Sequence, residues 1–271
     1  MELLQNLHTH STYCDGKHTP EEMIAFAQKK GFTSLGFSGH CPMWYSAYKA
    51  ITVETNEAYK RKITELKAAY KDQFPIYLGL EVDMYSGVDM TGYDYLIGTV
   101  HYLKLGEEFV GFDRDAAVVR SVIDTYFGGD GLAFAKAYYE ALVQLPQYGT
   151  FDILGHFDLL SKNLDALHMF DEYDPRYVGY AVEAMEALQG KIPLFEVNTG
   201  GMARGYRRVP YPSLHLIREL KRRGFGAIIS SDCHDGEVLD IGFEQSAELL
   251  KAAGFTERYI LTDTGFQAVA L

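Results

Sequence analysis

Cysteine is scarce in this chain: Cys14, Cys41 and Cys233 are odd in number and form no CxxC pair. That argues against a disulfide framework and against a thiolate zinc site, and leaves the three as small packing residues. Basic charge is also short. The 25 Lys and Arg side chains face 37 acidic ones, for a formal charge of -12, which disfavours gripping a nucleic-acid backbone along an extended basic groove. A small molecule is the expected partner, with no nucleic acid. Apolar runs never approach the roughly 20 residues that a membrane-spanning helix requires. The start, Met1-Glu2-Leu3-Leu4, leads directly into polar, histidine-bearing sequence without the basic and apolar regions of a secretory signal. The reading is cytosolic, with no membrane partner. Internal repeats beyond a βα alternation, low-complexity tracts and long runs of one charge are lacking too.

What is present is ordinary globular usage, 47% hydrophobic and 23% charged, in a chain long enough to bury a substantial core. An α/β barrel occupies about 250 residues as one domain, so 1–271 is read as a single domain. Short apolar or β-branched runs alternate with longer amphipathic stretches, about seven times. The predicted strands lie near Leu3 to His8, Ser34 to Ser38, Ile76 to Val82, Tyr95 to His101, Ile153 to His156, Leu194 to Asn198 and Ala227 to Ser231. Helices are expected over Pro20 to Lys30, Glu54 to Lys71, Ala133 to Leu145, Pro175 to Gln189, Ser213 to Arg223 and Phe243 to Ala253. Thr19-Pro20-Glu21-Glu22 supplies a cap, a first-turn proline and two acids to the first helix. The glycines of Gly128-Gly129-Asp130-Gly131 suit a tight turn between two helices.

Histidines and acids fall at the ends of these strands. His8 and His10 close the first, His40 follows the second, Glu81 ends the third, His101 the fourth, His156 the fifth, and Asp232 with His234 the seventh. In an α/β barrel all carboxyl ends meet on one face, so these residues converge. Alternate residues of an extended segment point the same way, which lets His8 with His10, or Asp232 with His234, address one ion or two neighbouring ions. Imidazole suits zinc, iron and other borderline metals, and carboxylates can bridge adjacent ions; the pattern predicts a multinuclear hydrolytic centre. His18, His168 and His215 fall off the pattern and are read as ordinary loop or helix histidines.

The segments His8-Thr9-His10-Ser11, Ser38-Gly39-His40, Leu80-Glu81-Val82-Asp83, Gly98-Thr99-Val100-His101, Gly155-His156-Phe157-Asp158 and Ser231-Asp232-Cys233-His234 resemble, in order, the signatures of the polymerase and histidinol phosphatase (PHP) family. The resemblance covers nearly the whole chain. It implies a distorted (β/α)7 TIM-like barrel holding up to three divalent ions, zinc, iron or manganese, and nine ligands: His8, His10, Asp15, His40, Glu81, His101, His156, Asp232 and His234. By analogy His8, His10, Glu81 and Asp232 hold one ion, Glu81, His101 and His156 a second, and Asp15, His40 and His234 a third. Many family members carry histidine where this chain has Asp15. Glu81, Asp15, His40 and Asp232 are the expected catalytic residues, with Asp15 or a non-ligand histidine as a source of the leaving-group proton.

Within the family, Phe195 to Pro212 and Gly155 to Lys162 are similar to stretches that mark L-histidinol-phosphate phosphatases. The resemblance thus implies hydrolysis of a small phosphate monoester by a metal-activated water at a trinuclear centre. A glycine-bearing loop with Arg204, Arg207 and Arg208 offers guanidinium groups to phosphate oxygens, with Arg204 or Arg207 preferred. Asn198 and, more weakly, Ser161 and Lys162 are further phosphate candidates. Trp44, Tyr45 and Tyr48 either wall the site or simply pack. The rival functions are a PHP phosphodiesterase or exonuclease acting on nucleotides, and a noncatalytic PHP module of an assembly. The acidic charge leans against the first and the intact ligand set against the second.

Overall fold

The alternating runs become a parallel sheet in the computed structural model, which describes residues 3–46 and 51–271. Strands β1 (Gln5–Asn6), β2 (Ser34–Phe37), β3 (Ile76–Asp83) and β4 (Tyr95–Thr99) come first, followed by a hairpin of β5 (Tyr102–Leu105) and β6 (Glu108–Gly111). Then come β7 (Ile153–Leu154), β8 (Leu194–Asn198), β9 (Gly226–Ser230) and a terminal hairpin of β10 (Glu257–Thr262) and β11 (Gly265–Ala270). The main sheet runs β1-β2-β3-β4-β7-β8-β9, every neighbour parallel. Just past the ends of β1 and β9, Thr9 bridges Cys233 in parallel, and the His10 amide donates to the Cys233 carbonyl at 2.8 Å. The first and last strands thereby meet, and the sheet closes into the distorted seven-stranded barrel that the sequence predicts.

Helices fill the connections: α1 (Pro20–Lys29), α2 (Val53–Tyr70), α3 (Ala116–Phe127), α4 (Gly131–Gln144), α5 (Pro175–Leu188), α6 (Gly200–Ala203), α7 (Leu214–Arg222) and α8 (Phe243–Ala252). Thr19 and Glu22 form a reciprocal capping box on α1, and Asp115, Asp130 and Asp174 cap α3, α4 and α5. Gly128, at φ 60°, ends α3 in the left-handed conformation that the glycine-rich turn requires.

The two-residue period sorts side chains between two cores. On β3, Leu78, Leu80 and Val82 join the large cluster under the helices, while Tyr77 belongs to a smaller one with Leu7, Tyr95, Ile97, Ile153, Leu194, Ile228 and Leu261. This second cluster is the barrel interior. Tyr95 spans it, its hydroxyl donating to the Leu7 carbonyl at 2.5 Å and the Phe37 carbonyl at 3.2 Å. Its hydroxyl lies over Gly36 and its ring over Gly79, where an added Cβ would stand 2.4 Å and 2.2 Å from them. The β10–β11 hairpin, which strand counting misses, closes this end: the Gln5 amide exchanges hydrogen bonds of 2.8 Å and 2.7 Å with the backbone of Leu261.

Three strands stop two residues short of their predicted ends. β1 ends at Asn6, two residues before His8, β4 ends at Thr99 rather than His101, and β7 at Leu154 rather than His156. For the last two the cause lies in side-chain competition for the backbone. The His101 amide donates to the Asp83 carboxylate at 2.8 Å and the His156 amide to the Glu196 carboxylate at 2.5 Å, so neither extends the ladder.

Candidate metal centre

Glu81 follows Tyr77 and Gly79 on the inward face of β3 and is 2% exposed. Five imidazoles surround it. Its Oε1 lies 3.4 Å from His8 Nε2, 3.2 Å from His101 Nε2 and 3.1 Å from His156 Nε2, while Oε2 lies 3.6 Å from His10 Nε2 and 2.7 Å from His40 Nδ1. Burial alone would raise the Glu81 carboxyl, but His40, His8 and His101 hold it well below the usual carboxylate range.

Three groups of donor atoms lie around this hub, each within 4.8 Å: His8, His10 and Asp232; Glu81, His101 and His156; and His10, Asp15, His40 and His234. The residues expected as ligands are all brought together. In the second group Glu81 Oε1, His101 Nε2 and His156 Nε2 form a triangle of sides 3.1, 3.1 and 3.2 Å. Donors bonded at about 2.0–2.2 Å to one tetrahedral ion stand roughly 3.3–3.5 Å apart, so this triangle needs little adjustment. In the first, Asp232 Oδ1 is 3.1 Å from His10 Nε2 and 3.7 Å from His8 Nε2. In the third, Asp15 Oδ1 is 3.0 Å from His234 Nε2 and 3.6 Å from His40 Nε2. His10 stands between groups, its Nδ1 3.7 Å from Asp15.

The fit to cations shows in what the protein leaves unsatisfied. His8 Nε2, His10 Nε2, Asp15 Oδ1 and Glu81 Oε2 are buried without a hydrogen-bond partner and aim at one another, an arrangement that divalent ions would satisfy. The cysteines do not compete as ligands: burial pushes the thiols of Cys14, Cys41 and Cys233 up to about 12. Asp15 fits a ligand better than a proton donor. Burial would raise its carboxyl, but the imidazoles of His234, His40 and His10 hold it ionised.

Behind the donors stand residues that strand-end counting misses. Glu196 Oε2 lies 2.9 Å from His8 Nδ1, and Asp83 Oδ2 lies 3.3 Å from His101 Nδ1, so carboxylates orient both rings. Asp83 stands one residue past the predicted end of its strand, and Glu196 sits between Leu194 and Asn198 on the inward face of β8, where an acid has no apolar rationale. Two donors carry unusual backbone: His156 has φ 23° and Asp232 φ 46°, conformations that non-glycine residues adopt at a cost and that cluster at functional sites.

A cavity of about 500 Å³ opens over the cluster, lined by Asp15, His40, Glu81, His101, Asp232 and His234. Lys162, Arg204 and Arg114 supply positive charge to its wall. Arg204 donates to the Asp232 carboxylate at 3.2 Å and sits 2.9 Å from His234 Nδ1. Lys162 pairs with Asp113 and is 4% exposed. Burial and then the Arg204 charge push its ammonium down to about 7, against Asp232 and Glu81.

The other phosphate candidates lie behind the wall. Arg207 donates to the Ser161 carbonyl and to Glu172; the Ser161 hydroxyl turns back onto the Asp158 carbonyl at 2.8 Å. The Asn198 amide donates to Glu196, while its oxygen accepts from the Gly200 amide. Each is consumed by internal bonds, and the order between Lys162 and Ser161, and between Arg204 and Arg207, follows from which residue the backbone turns towards the opening. Trp44 and Tyr45 pack on Phe109 of β6, with ring centroids 5.1 Å and 4.7 Å apart, and do not line the cavity; Tyr48 lies outside the described residues. Among the off-pattern histidines, His18 is 3.2 Å from Asp235, His215 is 3.3 Å from the Ser213 hydroxyl, and His168 is exposed.

A closed parallel barrel with a histidine and carboxylate cluster at the strand ends defines an α/β barrel of the metal-centre class. The chain belongs to the PHP domain family, whose model matches residues 6–200. It is similar to a probable histidinol-phosphatase of Deinococcus radiodurans, 28% identical over 258 residues that cover 91% of this chain and 92% of the relative. It is also similar to the histidinol-phosphatase of Bacillus subtilis, 24% identical over 266 residues, 89% of this chain and 97% of the relative. Its fold is that of a putative histidinol phosphatase from Listeria monocytogenes, with a TM-score of 0.77, 18% identity and coverage of 89% and 99% of the two chains. A histidinol phosphate phosphatase from Lactococcus lactis, solved with zinc, L-histidinol and phosphate, superposes with a TM-score of 0.69 at 19% identity over 97% and 98%.

Proposed function

We propose that the chain, acting as one unit over 1–271 in the cytoplasm, is a metal-dependent phosphatase that hydrolyses L-histidinol phosphate to L-histidinol and phosphate. The observation that carries this is the pairing, in one cavity, of a Glu81-centred cluster of buried donors with the cations Lys162, Arg204 and Arg114. The names of the two curated relatives, and the L-histidinol and phosphate held in the Lactococcus structure, support the substrate. Up to three divalent ions would be held by His8, His10, Asp15, His40, Glu81, His101, His156, Asp232 and His234. Zinc is favoured by the Lactococcus structure, and iron or manganese suit the same donors. Bound there, such ions supply a water nucleophile that ionises near neutral pH and a counter-charge for the phosphoryl oxygens.

The protein's own residues do the rest. Glu196 and Asp83 fix the faces that His8 and His101 present. Lys162 and Arg204 hold the phosphoryl group and neutralise charge that grows on its oxygens during displacement. Asp113 and Asp115, also on the cavity wall, suit a substrate that carries an ammonium group.

The test is phosphate release by metal-replete protein from L-histidinol phosphate beside other phosphate monoesters and bis(p-nitrophenyl) phosphate. Selective release from histidinol phosphate is expected; preference for the diester would keep the metal centre and overturn the substrate.

A further inference from the structure

Arg207 does not reach the cavity, yet its guanidinium joins the two loops that supply Lys162 and Arg204, two of the three cations on the cavity wall. Lys162 rides on a single 3-10 turn, Leu159–Asn163, after β7, and Arg204 on the segment that follows β8. The Arg207 Nη1 donates to the Ser161 carbonyl at 2.7 Å, one residue before Lys162, and Nη2 donates to Glu172 at 2.8 Å. The Arg207 amide closes its own loop onto the Gly201 carbonyl at 3.1 Å. Gly201 lies between the loops: a Cβ there would stand 3.5 Å from both the Lys162 and the Arg207 side chains. Arg207 is 6% exposed and Asp158, at the root of the Lys162 turn, is fully buried and held by the hydroxyls of Tyr139 and Tyr177.

Two like charges facing one buried space repel; Lys162 is held by Asp113 and its turn by Asn163 Nδ2 on the Arg114 carbonyl at 3.0 Å, but neither bond ties that turn to the Arg204 loop. A planar guanidinium with fixed donors on both sides does. We propose that Arg207 is a positioning residue that sets the separation of Lys162 and Arg204, and so shapes the anion site that these two cations offer to a phosphoryl group. This rests on the phosphatase reading above.

The experiment compares wild type with Arg207→Met, Arg207→Lys, Lys162→Met and the Lys162→Met/Arg207→Met double variant. Turnover and KM with L-histidinol phosphate, binding of inorganic phosphate by calorimetry, metal content and thermal melting are measured on each. Arg207→Met is expected to raise KM and weaken phosphate binding together, by roughly tenfold or more, with metal content unchanged. Arg207→Lys should recover part of the loss, because one ammonium cannot reproduce the fork between Ser161 and Glu172. The double variant should be little worse than Lys162→Met, since Arg207 acts through the residue already removed. A folded Arg207→Met protein with wild-type KM and phosphate affinity, or a loss that adds in full to that of Lys162→Met, overturns the proposal. If Arg207→Met does not fold, Glu172→Gln removes the anchor alone and should show a smaller rise in KM; no rise would count against the brace. Phosphate binding that weakens in Arg207→Met, in a wild type that releases no phosphate from histidinol phosphate, would overturn the enzymatic reading and leave the brace standing.

Discussion

Glu196 Oε2 lies 2.9 Å from His8 Nδ1, and neither side chain has any exposed surface. The same carboxylate accepts the His156 amide at 2.5 Å, the Asn198 amide at 2.8 Å and the Ser230 hydroxyl at 2.6 Å. One acid thus fixes the ring of His8 and the strained backbone of His156, donors from two different groups of the cluster.

Glu196→Gln preserves shape while removing the charge behind His8. Metal affinity is expected to fall about 10–100-fold, measured by competition with a chromogenic chelator, with far-UV circular dichroism unchanged. Unchanged affinity would show that Glu196 serves the fold alone.

Protons and metal ions compete for the same nitrogens. Burial on its own would lower these imidazoles, but Glu196 and Glu81 raise His8, Glu81 and Asp15 raise His40, and Glu81 with Asp83 lifts His101 to about 10. Metal binding should therefore release protons, and affinity should fall as pH falls. For the metal-free protein the raised imidazoles of His8, His40 and His101 lose their contribution to stability as pH rises from 6.5 towards 10, and the single lowered ammonium of Lys162 opposes them only in part. Chelated protein should melt progressively lower between pH 7 and 9.5, and metal-replete protein much less so. Identical pH profiles for the two forms would contradict this.

Lys162 loses its charge as pH rises through about 7. Phosphate affinity should accordingly weaken above neutrality in wild type, and the weakening should be reduced in Lys162→Arg, whose guanidinium stays charged. Calorimetric titration with inorganic phosphate from pH 6 to 9 reads this directly. Equal slopes in both proteins would assign the pH dependence to other groups.

Gly79 lies under the Tyr95 ring with no room for a methyl group. Gly79→Ala is expected to cost about 2–3 kcal/mol through overpacking, read by urea denaturation. A loss below about 0.5 kcal/mol, the range of a neutral surface change, would mean that the ring moves freely.

How much was legible follows from which signals are local. Strand-end histidines can be counted along the chain because a barrel sends every carboxyl end to one face, and His8, His10, His40, His101, His156 and His234 do meet there with Asp15, Glu81 and Asp232. Glu196 was within reach, since the two-residue period of β8 turns it inward. The ranking of the phosphate candidates was not. Ser161 and Lys162 are adjacent, Arg204 and Arg207 share one loop, and composition treats each pair alike.

The sequence by itself determined the barrel, through the alternation of buried runs with capped amphipathic helices, and the members of the donor cluster, through residue type at strand ends for all but Asp15, which the family resemblance supplied. Only the tertiary structure decided that Glu81 would face five imidazoles, that His10 would stand between two donor groups, and that Lys162 and Arg204 rather than Ser161 and Arg207 would face the cavity. Those outcomes depend on where a backbone turns after leaving the ladder. That turn is set by bonds between residues far apart in the chain, such as the Glu196 carboxylate to the His156 amide and the Arg207 guanidinium to the Ser161 carbonyl.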